Sequence, residues 1–199
     1  RDVKRAEAFK DKFDIKHAFG SYEELAQRDL IDAVYIATPH SFHKDQSILF
    51  MNHKKHVLCE KPIAVNTKEF EEMVISSKEN QVLLMEAMWT KFLPATKKVR
   101  EVVQSNKLGQ LKSAYIEFGQ DLRGRGGDQG RLYNMNLAGG ALLDMGIYPL
   151  SYMLNITDMN IKSIKARAEY YHTGVDIESV SDDSVDSPAL AKIILFVSA

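Results

Sequence analysis

Three short apolar runs, Ala33-Val34-Tyr35-Ile36-Ala37, His56-Val57-Leu58-Cys59 and Val82-Leu83-Leu84-Met85, recur through the first half of the chain with amphipathic stretches between them. Runs of this length alternating with helical patterns argue for βαβ units and a parallel sheet, because strands covered on both faces lose the polar–apolar alternation of half-exposed ones. The segments between them carry helix-start signals. Ser21-Tyr22-Glu23-Glu24 has the form of a capping box opening a short helix through Leu25. Asn66-Thr67-Lys68-Glu69 offers another, followed by Phe70, Met73 and Val74 at helical spacing. Ser41 is placed to cap the helix between the first two runs, with Phe42, Ile48 and Leu49 on its apolar side.

With 199 residues and 45% hydrophobic content, the chain can bury one sizeable core or two small ones. Lys plus Arg number 26 against 27 Asp plus Glu, so no basic excess is available to track a phosphate backbone and no nucleic-acid partner is expected. Cys59 is the single cysteine, which excludes an intrachain disulfide and suits a reducing cytoplasmic setting. No apolar run approaches the roughly 20 residues that a bilayer requires, so no membrane partner is expected.

A composition change near Trp89 to Pro94 predicts a domain boundary, with one domain over residues 1–90 and another over residues 91–199. In the second domain, Ala95 to Asn106 reads as a helix stopped near Gly109, and Lys112 to Phe118 as a half-buried strand. Arg123 to Gly130 is too glycine-rich for regular structure and reads as a mobile loop. Gly139 to Leu154 has an apolar helical pattern interrupted by Gly146 and Pro149; because proline lacks an amide hydrogen, a kink is expected beside Tyr148. Ile161 to Tyr171 and Leu190 to Val197 read as strands, separated by the acidic, serine-rich run Asp176 to Ser187.

In an open parallel sheet, ligands collect at the carboxyl ends of the strands, where loop amides and helix N-termini converge. Three polar groups fall there: Thr38-Pro39-His40 with His43, then Glu60-Lys61-Pro62, then Glu86. Taken singly, each is equally a polar turn at a strand end, and Glu60-Lys61 equally a surface ion pair before a helix-entry proline. Pro62 biases Lys61 toward an extended backbone, which holds its side chain off the strand end.

Together these segments resemble the glucose–fructose oxidoreductase / inositol dehydrogenase family. Ala37-Thr38-Pro39-His40-Ser41-Phe42-His43 is similar to its Thr-Pro-x-x-x-His turn, and Cys59-Glu60-Lys61-Pro62-Ile63-Ala64 to its Glu-Lys-Pro segment. Gly139-Gly140-Ala141-Leu142-Leu143-Asp144-Met145-Gly146-Ile147-Tyr148-Pro149-Leu150 is similar to the helix whose aspartate and Tyr or His face the substrate. Met85 to Ala95, with tyrosine at 148, looks nearest the dimeric dihydrodiol dehydrogenase branch, which includes NADP-dependent xylose dehydrogenases. The likeness extends to about Gly174; the acidic run beyond it looks unlike the short strand connection of the family. Nothing before Arg1 matches the family's Gly-x-Gly-x-x-Gly loop. The resemblance therefore implies an α/β chain: a truncated Rossmann-type parallel-sheet domain, then an incomplete α+β substrate and oligomerisation domain with an open sheet.

The resemblance also implies a hydride transfer between NADP (or NAD) and a sugar or cyclic diol, in a homodimer or higher homo-oligomer. Lys61, Tyr148 and Asp144 are the implied catalytic residues. Arg1, Thr38, Pro39, His40, His43, Glu60, Lys61, Pro62, Glu86 and Trp89 are the implied cofactor-binding set, with Arg1 where a basic residue holds the 2′-phosphate of NADP. Lys61 can stabilise a developing alkoxide. A phenol gives up its proton more readily beside an ammonium, which is the reason to pair Tyr148 with Lys61. A carboxylate beside the phenol opposes that release, so Asp144, which shares a helix face with Tyr148, is assigned to a substrate hydroxyl and to orienting Lys61. The alternative is a non-catalytic dinucleotide-binding regulator, since galactose-pathway repressors share this fold; the presence of both Lys61 and Tyr148 favours the enzyme. His17, His53, His56 and His172 have no metal-ligand spacing, and no metal is expected.

Overall fold

Asp2 accepts hydrogen bonds from the Lys4 and Arg5 backbone amides at 3.0 and 3.3 Å and so starts α1 (Val3–Lys12), a helix that the sequence patterns did not single out. The computed structural model describes residues 2–109, 111–122, 125–157, 161–185 and 190–198. Its backbone divides into two units, Arg1–Thr38 with Phe42–Glu86, and Pro39–Ser41 with Ala87–Ala199.

In the first unit α1 buries none of its residues, and Phe9 and Phe13 pack ring to ring at 4.5 Å on its exposed side. The helix α2 (Tyr22–Ala26) opens as its capping pattern predicts, with the Ser21 hydroxyl accepting from the Glu24 amide at 3.0 Å. The Glu24 carboxylate reaches back to the Gly20 amide rather than to that of Ser21. Three parallel strands follow in spatial order β1 (Ala33–Ile36), β2 (His56–Cys59) and β3 (Leu84–Glu86), connected through α3 (His43–Asn52) and α4 (Thr67–Asn80).

The third strand starts two residues later than its apolar run. Gln81 closes α4 in the left-handed region at φ 56°, and the Val82 amide donates back to the Ser77 carbonyl at 3.1 Å. That helix-ending bond uses the amide that Val82 would need in the ladder. The core gathers Ala26, Ile36, Phe50, Met51, Val57, Cys59 and Met73. Burying a side chain such as Phe50 or Met73 contributes about 1.5–3 kcal/mol each.

Within these residues one face of the strands is covered and the other is open, where their composition predicts burial on both. Tyr35, Leu58 and Met85 stand in register across β1, β2 and β3 and remain 55%, 38% and 38% exposed. Apolar residues on both faces of each run hid this asymmetry. Ser41 does not cap α3: a 3₁₀ turn, His40–Phe42, precedes the helix, whose N-cap is Phe42 with no side-chain cap bond. The buried side of α3 is His43, Gln46, Ser47, Phe50 and Met51, three of the five polar and so invisible to hydrophobic periodicity. Asn66 caps α4 through the Glu69 amide at 2.9 Å as predicted; Met73 is buried but Phe70 is exposed.

The second unit opens with α5 (Pro94–Gln104), with proline in its first turn, and the chain turns at Gly109 with φ 74°. In β4 (Ser113–Asp121), Ala114, Ile116 and Phe118 pack with Leu150 and Met153 of α6 (Ile147–Thr157), while Tyr115 is exposed. A second buried cluster joins Leu122, Leu132, Tyr133, Ala141, Met145 and Val175. The strands β5 (Ile161–Tyr170), β6 (Asp176–Val185) and β7 (Leu190–Ser198) complete a mixed sheet in the order β4-β7-β6-β5. β4 and β7 run parallel, and the other two pairings are antiparallel.

Over Asp176–Val185 the acidic run is thus an interior strand and not a connection; Asp186 and Ser187 lie outside the described residues. Glu178 lies opposite Phe196 on one side and Glu169 on the other, so backbone pairing on both edges holds a segment whose composition has little strand character. Residues 125–130 form turns, with Gly126 and Gly127 at φ 89° and 55°; Arg123 and Gly124 of the expected mobile loop lie outside the described residues. Among the described residues no helix is long and apolar enough to cross a membrane.

Candidate active site

At the carboxyl ends of β1, β2 and β3 the side chains are tied to one another through backbone carbonyls and amides. His43, fully buried at the start of α3, sets one ring nitrogen 2.8 Å from the Thr38 carbonyl and the other 2.8 Å from that of Pro62. It thereby joins the turn after β1 to the turn after β2. Glu86 accepts from the Ile63 amide at 2.9 Å and joins that second turn to the end of β3. The Thr38 hydroxyl donates to Gln46 Oε1 at 2.9 Å, which anchors the first turn to α3.

Lys61 occupies the middle of this lattice, half-buried and followed by a cis peptide bond to Pro62. The Glu60 carboxylate accepts from the Tyr35 hydroxyl and, through its other oxygen, from the Lys61 amide at 3.1 Å. That hydrogen bond to Glu60, with burial and the carboxylate charge behind it, pushes the Tyr35 phenol up to about 12. His43, Glu60 and Glu86 therefore direct polar atoms into holding the Lys61 turn. Beneath them the Cys59 thiol is pushed up to about 12, chiefly by burial, and is an inert packing group.

In the second unit the helix after Gly140 carries both Asp144 and Tyr148. It begins with a π-helical turn, Leu142–Gly146, and continues as α6, so the irregularity expected around Gly146 and Pro149 is a widened turn. Asp144 is buried, and its Oδ1 accepts from Arg131 Nη1 at 2.9 Å. His40 is buried on the same side: its Nδ1 lies 2.9 Å from the Ala138 carbonyl, and its Nε2 faces Asp144 Oδ1 at 3.8 Å. An Nδ1–H donated to that carbonyl leaves Nε2 turned toward the carboxylate.

The Tyr148 hydroxyl accepts from the indole N–H of Trp89 at 3.3 Å, and the two rings meet edge to face at 6.2 Å. Phe118, from β4, also meets the Tyr148 ring edge to face, at 5.6 Å. Trp89 itself is largely exposed. Sequence reasoning did not single out Arg131 or Phe118. A lone arginine in a loop carries no periodic signal, and Phe118 reads only as the inward residue of a strand.

Of the residues named from sequence, Thr38, His43, Glu60, Lys61, Pro62 and Glu86 gather at the strand ends of the first unit; Pro39, His40, Trp89, Asp144 and Tyr148 belong to the second. Arg1 lies outside the described residues. Among the described residues no group of three or more His, Cys, Asp or Glu is arranged to hold a metal ion. The first array holds an amine on a braced turn, and the second a buried, charge-paired carboxylate one helical turn from a phenol.

Comparison with known proteins agrees with this division. Residues 1–88 match the oxidoreductase family with an NAD-binding Rossmann fold, and residues 96–192 match the GFO/IDH/MocA C-terminal domain. The second match runs beyond Gly174 and corrects the expectation that the likeness ends there. The chain is 41% identical over 177 residues to trans-1,2-dihydrobenzene-1,2-diol dehydrogenase of Danio rerio, covering 88% of this chain and 52% of the relative. It is 41% identical over 182 residues to the scyllo-inositol 2-dehydrogenase (NADP(+)) IolU of Bacillus subtilis, covering 89% and 55%. The chain thus spans about half the length of these curated relatives. Aldose-aldose oxidoreductase from Caulobacter crescentus has the same fold, with TM-score 0.88 at 22% identity over 97% of this chain and 60% of that one. On these matches the chain belongs to the GFO/IDH/MocA oxidoreductase family.

Proposed function

We propose that this chain carries the reacting groups of an NADP-dependent dehydrogenase that oxidises a hydroxyl of a sugar or cyclic diol. The observation that carries the reading is the helix bearing Asp144 and Tyr148, with the carboxylate held by Arg131 and the hydroxyl hydrogen-bonded to the indole of an exposed Trp89. Family membership supplies the class of reaction. Relatives named for a trans-dihydrodiol and for scyllo-inositol with NADP(+) support a polyhydroxylated or cyclic substrate and that cofactor.

Thr38 and Lys61, at the open ends of parallel strands, are suited to holding a dinucleotide: the Thr38 hydroxyl, whose proton goes to Gln46, can accept from a ribose hydroxyl, and the Lys61 ammonium can meet phosphate oxygens without a like-charge conflict. The nicotinamide supplies the hydride acceptor when bound. Tyr148 moves the substrate hydroxyl proton, Lys61 stabilises the alkoxide as charge develops, and Asp144 binds a neighbouring hydroxyl. Trp89 and Phe118 each set a ring edge to face against that of Tyr148 and so orient the phenol. Tyr115, exposed on the face of β4 turned away from α6, supports assembly into homo-oligomers, and the single buried cysteine supports a cytoplasmic setting.

The full-length protein, assayed with NADP and NAD against xylose, scyllo-inositol and trans-1,2-dihydrobenzene-1,2-diol, tests the reading. Oxidation of at least one of them is expected; absence of turnover with all three rejects it. Arg1→Asp in that protein is expected to move the NADP/NAD preference toward NAD, because an arginine pairs with the 2′-phosphate and a carboxylate repels it.

A further inference from the structure

Asp176, the first residue of β6, reaches across to the start of the helix that bears Asp144 and Tyr148. Its Oδ2 accepts a hydrogen bond from the Leu142 amide at 2.7 Å. Amides in the first turn of a helix have no partner within it, and a carboxylate there also meets the positive end of the helix dipole.

The backbone around this contact is shaped to admit it. Gly140 has φ 115°, and a Cβ at that position would overlap the Asp176 carboxylate. Only glycine combines that conformation with so close an approach. Gly139 is confined from the other side, since a Cβ there would lie 2.5 Å from the Leu132 carbonyl oxygen. The Gly140 amide donates to that same carbonyl at 2.9 Å, and the Gly140 carbonyl accepts from the Asp144 amide at 3.2 Å. The helix entry is therefore gripped by the Arg131–Leu132 segment on one side and by Asp176 on the other. The widened turn Leu142–Gly146 follows directly, so the directions in which Asp144 and Tyr148 leave the helix depend on where it is started.

We propose that Asp176 is a positioning residue of the dehydrogenase site: its carboxylate fixes the start of this helix and, through it, the placement of the Asp144 carboxylate and the Tyr148 hydroxyl. The inference rests on the dehydrogenase reading above, and it gives a function to the acidic stretch whose composition set it apart. What matters is where the acceptor oxygen lies.

Two conservative variants of the full-length protein separate placement from charge. Asp176→Glu keeps the charge but displaces the acceptor by one methylene; Asp176→Asn removes the charge and keeps an acceptor at the same reach. Turnover is expected to fall about 10- to 100-fold in Asp176→Glu and to stay within about threefold of the parent in Asp176→Asn, the scale set by misplacing a reacting group by about an ångström. The KM for NADP is expected to change less than about twofold in both, because the helix bears groups that face the substrate. Amide hydrogen exchange over residues 140–148 should quicken in Asp176→Glu and not in Asp176→Asn. Parent-like turnover in Asp176→Glu, or a larger loss in Asp176→Asn than in Asp176→Glu, overturns the proposal. If the parent oxidises none of the polyols, the dehydrogenase reading fails, and exchange decides the clamp by itself: equal rates in all three proteins overturn it.

Discussion

The buried Asp144 carboxylate accepts a hydrogen bond at 2.9 Å from the guanidinium of Arg131, whose side chain is half exposed. A buried carboxylate without a partner is costly, so the arginine allows Asp144 to remain charged in a place that excludes water. Arg131→Met is expected to destabilise the protein by about 1–2 kcal/mol, less than for a fully buried pair because solvent screens the arginine side. Chemical denaturation of Arg131→Met, Asp144→Asn and the double variant checks this. Once Asp144 is already asparagine, most of the arginine's contribution should be gone, and full additivity counts against the pairing.

Lys61→Met and Tyr148→Phe are each expected to lower turnover by about 100-fold or more, in the range of lost acid–base catalysis. The double variant should be little worse than the worse single one, as for residues that serve one proton transfer. NADP affinity should survive in Tyr148→Phe. Steady-state kinetics on the three proteins, with cofactor titration, measures all of this; losses that multiply would falsify the shared role.

His43 bonds two carbonyls that belong to different turns. His43→Phe preserves most of the buried volume but removes the ring N–H that a neutral imidazole donates to one of them, leaving a buried acceptor unsatisfied at a cost of about 1–3 kcal/mol. The Lys61 turn loses one of its braces in the same step. A lower urea midpoint together with weaker NADP binding is expected, and unchanged stability would show that the bridge contributes nothing.

The Cys59 thiol stands at about 12 in the folded chain against 9.0 ordinarily, because burial disfavours the thiolate. Such a raised value contributes stability that is intact below the unfolded thiol's range and is lost as pH rises, since only the unfolded chain releases the proton between 9 and 12. Stability should therefore fall through that window by up to about 1.4 kcal/mol per pH unit from this group. Cys59→Ala should flatten that part of the alkaline unfolding curve. At neutral pH, alkylation by iodoacetamide should proceed only as fast as the protein unfolds.

Local patterns in the chain were sufficient for much of the framework. Ser21 and Asn66 cap the helices that their motifs indicate, and His56–Cys59 is a strand because an apolar run bounded by turn residues has few other uses. The ordered motifs around Thr38, Lys61 and Asp144 pointed to the family without any three-dimensional information. The rest depends on partners distant in the chain. The strand at Asp176–Val185 exists because β5 and β7 hydrogen-bond to both of its edges, a condition written 6 to 24 residues away and not in its own acidic composition. His43 is expected from the sequence among the cofactor-binding residues, but its place between two turns is visible only in the structure, since only folding brings the Thr38 and Pro62 carbonyls to its ring. Arg131 gains its meaning from Asp144, and Asp176 from Leu142, 34 residues apart. Periodicity and motif report which faces are apolar and which segments turn; the pairing of one charge or one amide with a particular distant group is decided only when the backbone closes around them.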